Sequence, residues 1–176
     1  LADADEKLEK LDTVIVTAAS FAIQETLEKN LEMAREMLSV NFTNTIIFCE
    51  HSRKQILANG GGTLCVVSSV AGERGRKPVI LYGASKAGLS NYLEGLDHKY
   101  YSQGLRTICI KPGFIKTGMT GSIQPPPFSG TPEQVAKHTL IAIEKETPVS
   151  YTPRIWRYIM FVIRNLPRFV MRKISL

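Results

Sequence analysis

Ser69-Val70-Ala71-Gly72-Glu73-Arg74-Gly75-Arg76-Lys77-Pro78-Val79-Ile80-Leu81-Tyr82-Gly83-Ala84-Ser85-Lys86 is the stretch around which the chain is organised. An apolar run, Thr63-Leu64-Cys65-Val66-Val67, leads into it through Ser68 and Ser69, and a helical pattern from Tyr82 to Tyr101 leads out. Strand, basic loop and helix therefore follow one another directly. Tyr82 and Lys86 stand one helical turn apart and share a face. A phenol in water has a pKa of about 10 and is a poor base at neutral pH. A neighbouring ammonium favours the phenolate, and a serine hydroxyl can hold a carbonyl or alcohol oxygen by hydrogen bonding. Ser69, Tyr82 and Lys86 thus make a candidate proton-transfer site. Tyr-x-x-x-Lys also arises by chance on ordinary helix faces, so its weight depends on the surrounding chain.

Outward from this stretch the same alternation repeats. Asp12-Thr13-Val14-Ile15-Val16-Thr17 and Leu105-Arg106-Thr107-Ile108-Cys109-Ile110 are short apolar, β-branched runs of the kind buried on both faces of a parallel sheet. Helical patterns run from Gln24 to Met37, from about Ser39 to Leu57, and from Pro132 to about Lys145, the last opened by Thr131 as N-cap and proline at the first helical position. Leu1 to Leu11 reads as the end of an amphipathic helix, and Val149-Ser150-Tyr151 as a short last strand. Strand alternating with helix gives βαβ units, hence an α/β fold with a parallel sheet and helices on both faces. Ala18-Ala19-Ser20 follows the first strand with small residues, and ligands lie at the carboxyl ends of such strands. Gly121 to Gly130 holds three consecutive prolines and is expected to form an irregular surface flap.

At 176 residues, 44% of them hydrophobic, the chain can build one domain with a real core. Cys49, Cys65 and Cys109 lie in apolar runs without metal-ligand spacing, as buried free thiols of a reducing compartment do. The three histidines, His51, His98 and His138, fall at polar helix positions and are expected to face solvent. No signal-peptide pattern and no membrane-spanning apolar run is visible. The net charge of +6 is carried by one end: Arg154, Arg157, Arg164, Arg168, Arg172 and Lys173 meet no acidic residue after Glu146. That points to a local anionic partner and away from a generally basic nucleic-acid binder.

Asn41, Ser69, Tyr82 and Lys86, with Pro112-Gly113 after the next strand, resemble the catalytic tetrad and neighbouring turn of the short-chain dehydrogenase/reductase family. Tyr82-Gly83-Ala84-Ser85-Lys86-Ala87-Gly88 resembles its Y-x-A-S-K-A-G segment, and Pro112-Gly113-Phe114-Ile115-Lys116-Thr117 its P-G-x-x-x-T segment. The resemblance spans Asp12 to Glu146. It implies a Rossmann-like, doubly wound sheet and hydride transfer between a nicotinamide cofactor, NAD or NADP, and a carbonyl carbon. Tyr82 would exchange the proton and Ser69 would orient the substrate oxygen. Lys86 would lower the tyrosine pKa and hold the nicotinamide ribose. Asn41 would keep a water in the proton relay. Ala18, Ala19, Pro112, Gly113, Ile115 and Thr117 would line the cofactor, the last three positions at its carboxamide.

Two departures from the family pattern matter. Thr17-Ala18-Ala19-Ser20 replaces the usual Asn-Asn-Ala-Gly. The Gly-rich phosphate loop is absent as well; Gly60-Gly61-Gly62 follows a helix and precedes a strand, the wrong order for it. The expectation is a piece of a longer enzyme whose first strands, phosphate loop and coenzyme-selecting residue precede Leu1, leaving the choice between NAD and NADP unreadable.

Residues 1–152 are thus expected to form the carboxyl-terminal portion of the Rossmann domain and 153–176 an amphipathic tail. In the tail Ile155, Ile159, Ile163, Leu166 and Val170 recur at helical spacing, Trp156, Met160 and Phe161 widen the apolar face, arginines occupy another side, and Pro167 divides the segment. Such a helix suits an anionic membrane surface or docking on the parent domain. Its sequence narrows the resemblance to family members that reduce a sugar carried on a polyprenyl phosphate. The implied protein is a cytoplasmic enzyme, peripheral on the inner face of a membrane. By family habit it would be a homodimer or tetramer through the helices 39–57 and 82–101. A soluble reductase of small ketones, and a catalytically inactive membrane-binding or dimerisation module, stand as the alternatives.

Overall fold

The computed structural model describes residues 2–8, 10–121 and 124–174. Leu1, Leu176 and part of the expected flap lie outside them. Four parallel strands form the sheet in sequence order: β1 (Thr13–Val16), β2 (Gly62–Val67), β3 (Leu105–Pro112) and β4 (Val149–Thr152). The register sets Val16 beside Val66, Val67 beside Ile110, and Lys111 beside Tyr151. β2 and β3 are the central strands, and their unbroken apolar runs are buried on both faces, as expected. β1 differs. It alternates, with Val14 and Val16 buried and Ile15 45% exposed, because in the described sheet, where it is the outermost strand, helices cover one of its faces only.

Helices α4 (Thr45–Ala58) and α5 (Ile80–Tyr100) cover one face. Cys49 and Ile56 of α4 and Leu89, Leu93 and Leu96 of α5 close over Val14, Val16, Leu64 and Val66. On the other face Ala142 of α6 (Pro132–Glu144) packs on Cys65, Ile108 and Ile110. Thr131 and Gln134 cap α6 reciprocally, each side chain accepting from the other's backbone N–H. A short helix α1 (Ala2–Lys7) precedes the sheet.

The pattern read as one helix from Gln24 is two, α2 (Gln24–Lys29) and α3 (Leu31–Leu38), broken where Asn30 leaves helical geometry to cap α3 by accepting from Met33 N. The next helix begins with a π-helical turn, Ser39–Asn44, and Thr45 Oγ1 donates to Val40 O at 2.7 Å. His138 is half-buried, with Nδ1 2.8 Å from Thr152 Oγ1, and does not face solvent freely as expected.

The tail forms α7 (Trp156–Asn165) and α8 (Arg168–Lys173), divided at Pro167. Its first apolar stripe does not face outward. Trp156, Met160 and Ile163 are buried against Val70, with Tyr151, Ile159 and Met171 beside them. Among the described residues no helix is long and apolar enough to cross a membrane.

Candidate active site

β2 delivers the two serines to opposite sides, as a period of two requires. Ser68 Oγ turns to α5 and donates to Lys86 O at 3.0 Å, with Ser90 Oγ 2.7 Å away. Ser69 faces the cleft in extended geometry, and its Oγ accepts from Ala71 N at 3.1 Å. The following turn, Val70–Glu73, lies directly on α5. A Cβ at Gly72 would stand 2.6 Å from Ala87 N, so only glycine lets the serine loop come this close to the helix that carries Tyr82 and Lys86.

The Tyr82 ring packs edge-on against Phe21, centroids 5.0 Å apart at 87°. Burial pushes its phenol pKa up, while the Ser69 hydroxyl and then the Arg76 guanidinium pull it down; the net direction is upward. Lys86 is only 1% exposed. Its Nζ lies 5.9 Å from the Tyr82 ring centroid and donates to Val67 O at 3.1 Å. Burial lowers its pKa to about 8. Of three ammonium donors, one is used by the protein, which leaves donors for the hydroxyls of a ligand.

Asn41 is fully buried within the π-helical turn. Its Oδ1 accepts from Ser20 N at 2.7 Å, and its Nδ2 donates to Ser20 O at 2.8 Å. The amide also reaches Ser85 Oγ at 3.5 Å, and Ser85 Oγ donates to Tyr82 O at 2.7 Å. Asn41 thereby ties the segment after β1 to the start of α5. Ala18 and Ala19 sit between that pin and β1, Ala18 exposed and Ala19 half-buried.

At the end of β3, Pro112 is buried and Gly113 N donates to Thr152 O at 3.0 Å. A Cβ at Gly113 would fall 2.0 Å from Trp156 Nε1. Ile115 bridges to Gly130, and its carbonyl accepts from Thr120 Oγ1 at 2.6 Å. Thr117 is exposed and caps the turn Gly118–Thr120. Asn41, Ser69, Tyr82 and Lys86 therefore gather where β1 and β2 end, with Gly113 at the end of neighbouring β3, while Ile115 and Thr117 lie farther along the flap.

Several residues entered the site without a sequence role. Glu73, four residues after Ser69, is a buried carboxylate: Lys111 Nζ donates to its Oε1 at 2.8 Å, Tyr151 donates to the same oxygen, and Arg164 Nε of α7 stands 4.0 Å from Oε2. Arg74 Nη2 donates to Leu166 O and Lys77 Nζ to Arg172 O, each at 2.7 Å. Trp156 Nε1 donates to Phe128 O at 3.2 Å. The tail thus holds the serine loop, the Gly113 turn and the flap together. Its sequence signal, a tryptophan beside arginines, equally fitted a membrane helix. A groove of about 1060 Å³ between α5, β3–β4 and α7 includes Glu73, Lys111 and Arg164 in its walls but not Tyr82, and so lies apart from the cleft.

These features define a parallel α/β domain whose acid–base side chains collect at the carboxyl ends of its strands. The short chain dehydrogenase family model matches residues 1–127. An uncharacterized oxidoreductase of Mycobacterium tuberculosis is 31% identical over 163 residues, covering 93% of this chain and 66% of that protein. Carbonyl reductase family member 4 of Xenopus laevis is 29% identical over 126 residues, covering 67% of this chain and 53% of that one. A short chain dehydrogenase from Burkholderia cenocepacia J2315 superposes with a TM-score of 0.75 at 24% identity over 85% of this chain and 64% of its own, and one from Mycobacterium ulcerans with 0.74 at 21% over 85% and 61%; both likenesses concern the fold. The chain belongs to the short-chain dehydrogenase/reductase family. It spans about two thirds of the length of the Mycobacterium tuberculosis relative.

Proposed function

We propose that the protein carrying this chain is an NAD(P)-dependent ketoreductase with Tyr82 as proton donor. The observation that carries the reading is the grouping of Ser69, Tyr82, Lys86 and Asn41 in one buried constellation. The Burkholderia neighbour is a complex with NADP, and a relative is a carbonyl reductase; both support the cofactor and carbonyl classes. A reduced nicotinamide, when bound, supplies the hydride to the carbonyl carbon. The Tyr82 O–H gives its proton to the oxygen as negative charge develops there, and the Ser69 hydroxyl hydrogen-bonds the same oxygen. Burial keeps the phenol protonated at neutral pH, which suits a donor in the reductive direction. Lys86 would hold the ribose hydroxyls with its remaining N–H donors, and Asn41 fixes Ser20 and, through Ser85, the backbone of Tyr82. Gly113, with Ile115 and Thr117, would hold the carboxamide, and Ala18, Ala19 and Pro112 would line the cofactor. In the full-length protein Tyr82→Phe should cut NAD(P)H-dependent reduction by about 10²- to 10⁴-fold with the fold intact. Wild-type rates in that variant would sink the assignment.

The substrate class follows from the tail. We read residues 1–152 as the catalytic portion and 153–176 as a membrane-contacting segment of a peripheral cytoplasmic enzyme acting on a lipid-linked sugar, as decaprenylphosphoryl-2-keto-ribose reductase does. Support comes from α7 and α8: with one stripe of α7 docked, Tyr158, Phe161, Val162 and Phe169 still face outward beside a run of basic side chains. Replacing these four by serine should abolish co-sedimentation with vesicles of phosphatidylcholine and phosphatidylglycerol, and unchanged lipid binding would remove the membrane reading. Exposed Ile47 and Phe48 on α4 support a dimer or tetramer through α4 and α5. The docking of Trp156, Met160 and Ile163 favours the second reading, a soluble ketone reductase whose tail is part of its own body. The vesicle experiment separates the two.

A further inference from the structure

The loop between Ser69 and Tyr82 carries three basic side chains, Arg74, Arg76 and Lys77. Arg74 and Lys77 donate to tail carbonyls. Lys111, entering from β3, is matched by Glu73. Arg76 is different. Among the described residues its guanidinium has neither a hydrogen-bond acceptor nor a carboxylate, and its Nε is buried without a partner. It stands near the Tyr82 phenol, and its positive charge favours the ionised form of that group. The acidic residue of the loop, Glu73, is engaged through Oε1 with Lys111 and Tyr151, and its Oε2, 4.0 Å from Arg164 Nε, has no hydrogen-bond partner among the described residues.

A buried N–H left unmatched, as Nε of the half-buried Arg76 is, costs free energy. Such a group beside a candidate proton donor is matched if the substrate brings the acceptor. The guanidinium fork suits a phosphate, which it binds with paired N–H donors.

We propose that Arg76 is a substrate-recognition residue that binds a phosphate ester of the substrate beside the carbonyl protonated by Tyr82. This rests on the reductase reading and narrows it to phosphorylated ketones, whether free sugar phosphates or lipid-linked phosphodiesters. It does not depend on the tail.

The test uses the full-length protein with bound NAD(P)H in a Tyr82→Phe background, where ligands are not consumed. Equilibrium titrations compare dihydroxyacetone phosphate, the decyl phosphodiester of dihydroxyacetone, and dihydroxyacetone itself, with and without Arg76→Met. The variant should weaken binding of at least one phosphate-bearing ligand by about ten- to a hundredfold, the range of a charge-assisted hydrogen bond, with Arg76→Lys between. Loss for the monoester alone assigns a free sugar phosphate; loss for the diester assigns a lipid-linked substrate. Equal affinities for both ligands with and without Arg76, or a loss confined to the cofactor, overturn the proposal. So does an equal loss for dihydroxyacetone. Thermal melts of each variant identify any that fail to fold, and Arg76→Lys then carries the comparison. Activity retained in Tyr82→Phe would refute the proton-donor reading separately, because this comparison reads binding only.

Discussion

Lys86→Met should make the protein more stable while removing its proposed ribose contact. Lys86 is buried, and its pKa falls from 10.5 to about 8 because burial disfavours the ammonium. The folded-state pKa lies below the unfolded one, so between pH 8 and 10.5 the unfolded chain binds the proton that the folded chain does not. Stability therefore rises with pH through this window, at about 1.4 kcal/mol per pH unit where the difference is full. Below pH 8 the charged lysine costs the fold about 3 kcal/mol over the whole interval. Methionine removes that cost but leaves Val67 O without its donor, a loss of about 1 kcal/mol. The net gain at pH 7 is about 2 kcal/mol, with reductase activity lost. Urea unfolding at pH 7, 8, 9 and 10 measures it: the two curves should converge as pH rises, and the slope attributable to this lysine should vanish in the variant. A Lys86→Met protein less stable than wild type at pH 7, or one with an unchanged pH slope, would refute the reasoning.

Other perturbations have equally direct outcomes. Glu73→Gln leaves Lys111 without its buried counter-charge and should cost about 3 kcal/mol in urea unfolding, whereas Arg164→Ala, at a partly exposed position 4.0 Å away, should cost under about 1 kcal/mol. Gly113→Ala drives a methyl into the Trp156 indole and should lower stability by about 1–3 kcal/mol, with a visible change in tryptophan fluorescence. Cys49 and Cys65 are fully buried with thiols pushed up to about 12, so neither should react with Ellman's reagent at pH 8 until denaturant is added.

The central strands were legible because burial on both faces writes itself as an unbroken apolar run: Leu64 to Val67 and Ile108 to Ile110 could hardly be anything else. Ser69, Tyr82 and Lys86 were legible because the spacing of a strand end and one helical turn is local. What escaped depends on contacts distant in sequence. Nothing in Ile15 says that its strand is an edge. The π-helical turn that buries Asn41 is a backbone detail without a composition signal, and it redirects the asparagine amide to Ser20. Trp156 and Met160 read as lipid-facing because helical periodicity reports an apolar stripe but not its partner; Val70 lies over eighty residues earlier. Arg76 looked like one more charge in a basic loop, and only the packing of the loop against Tyr82 distinguishes it from Arg74 and Lys77.

The same tail contacts bear on the order of assembly. Arg74, Lys77, Gly113 and Phe128 all wait for partners supplied by Trp156 to Arg172. During synthesis the earlier segments emerge first. The core strands β2 and β3 can pair and collapse as they leave the ribosome, yet the serine loop and the flap have nothing to close against until α7 and α8 follow. Completion of the cleft thus waits for the synthesis of α7 and α8, and a nascent chain stalled before Trp156 would hold a formed sheet beside an unlatched site.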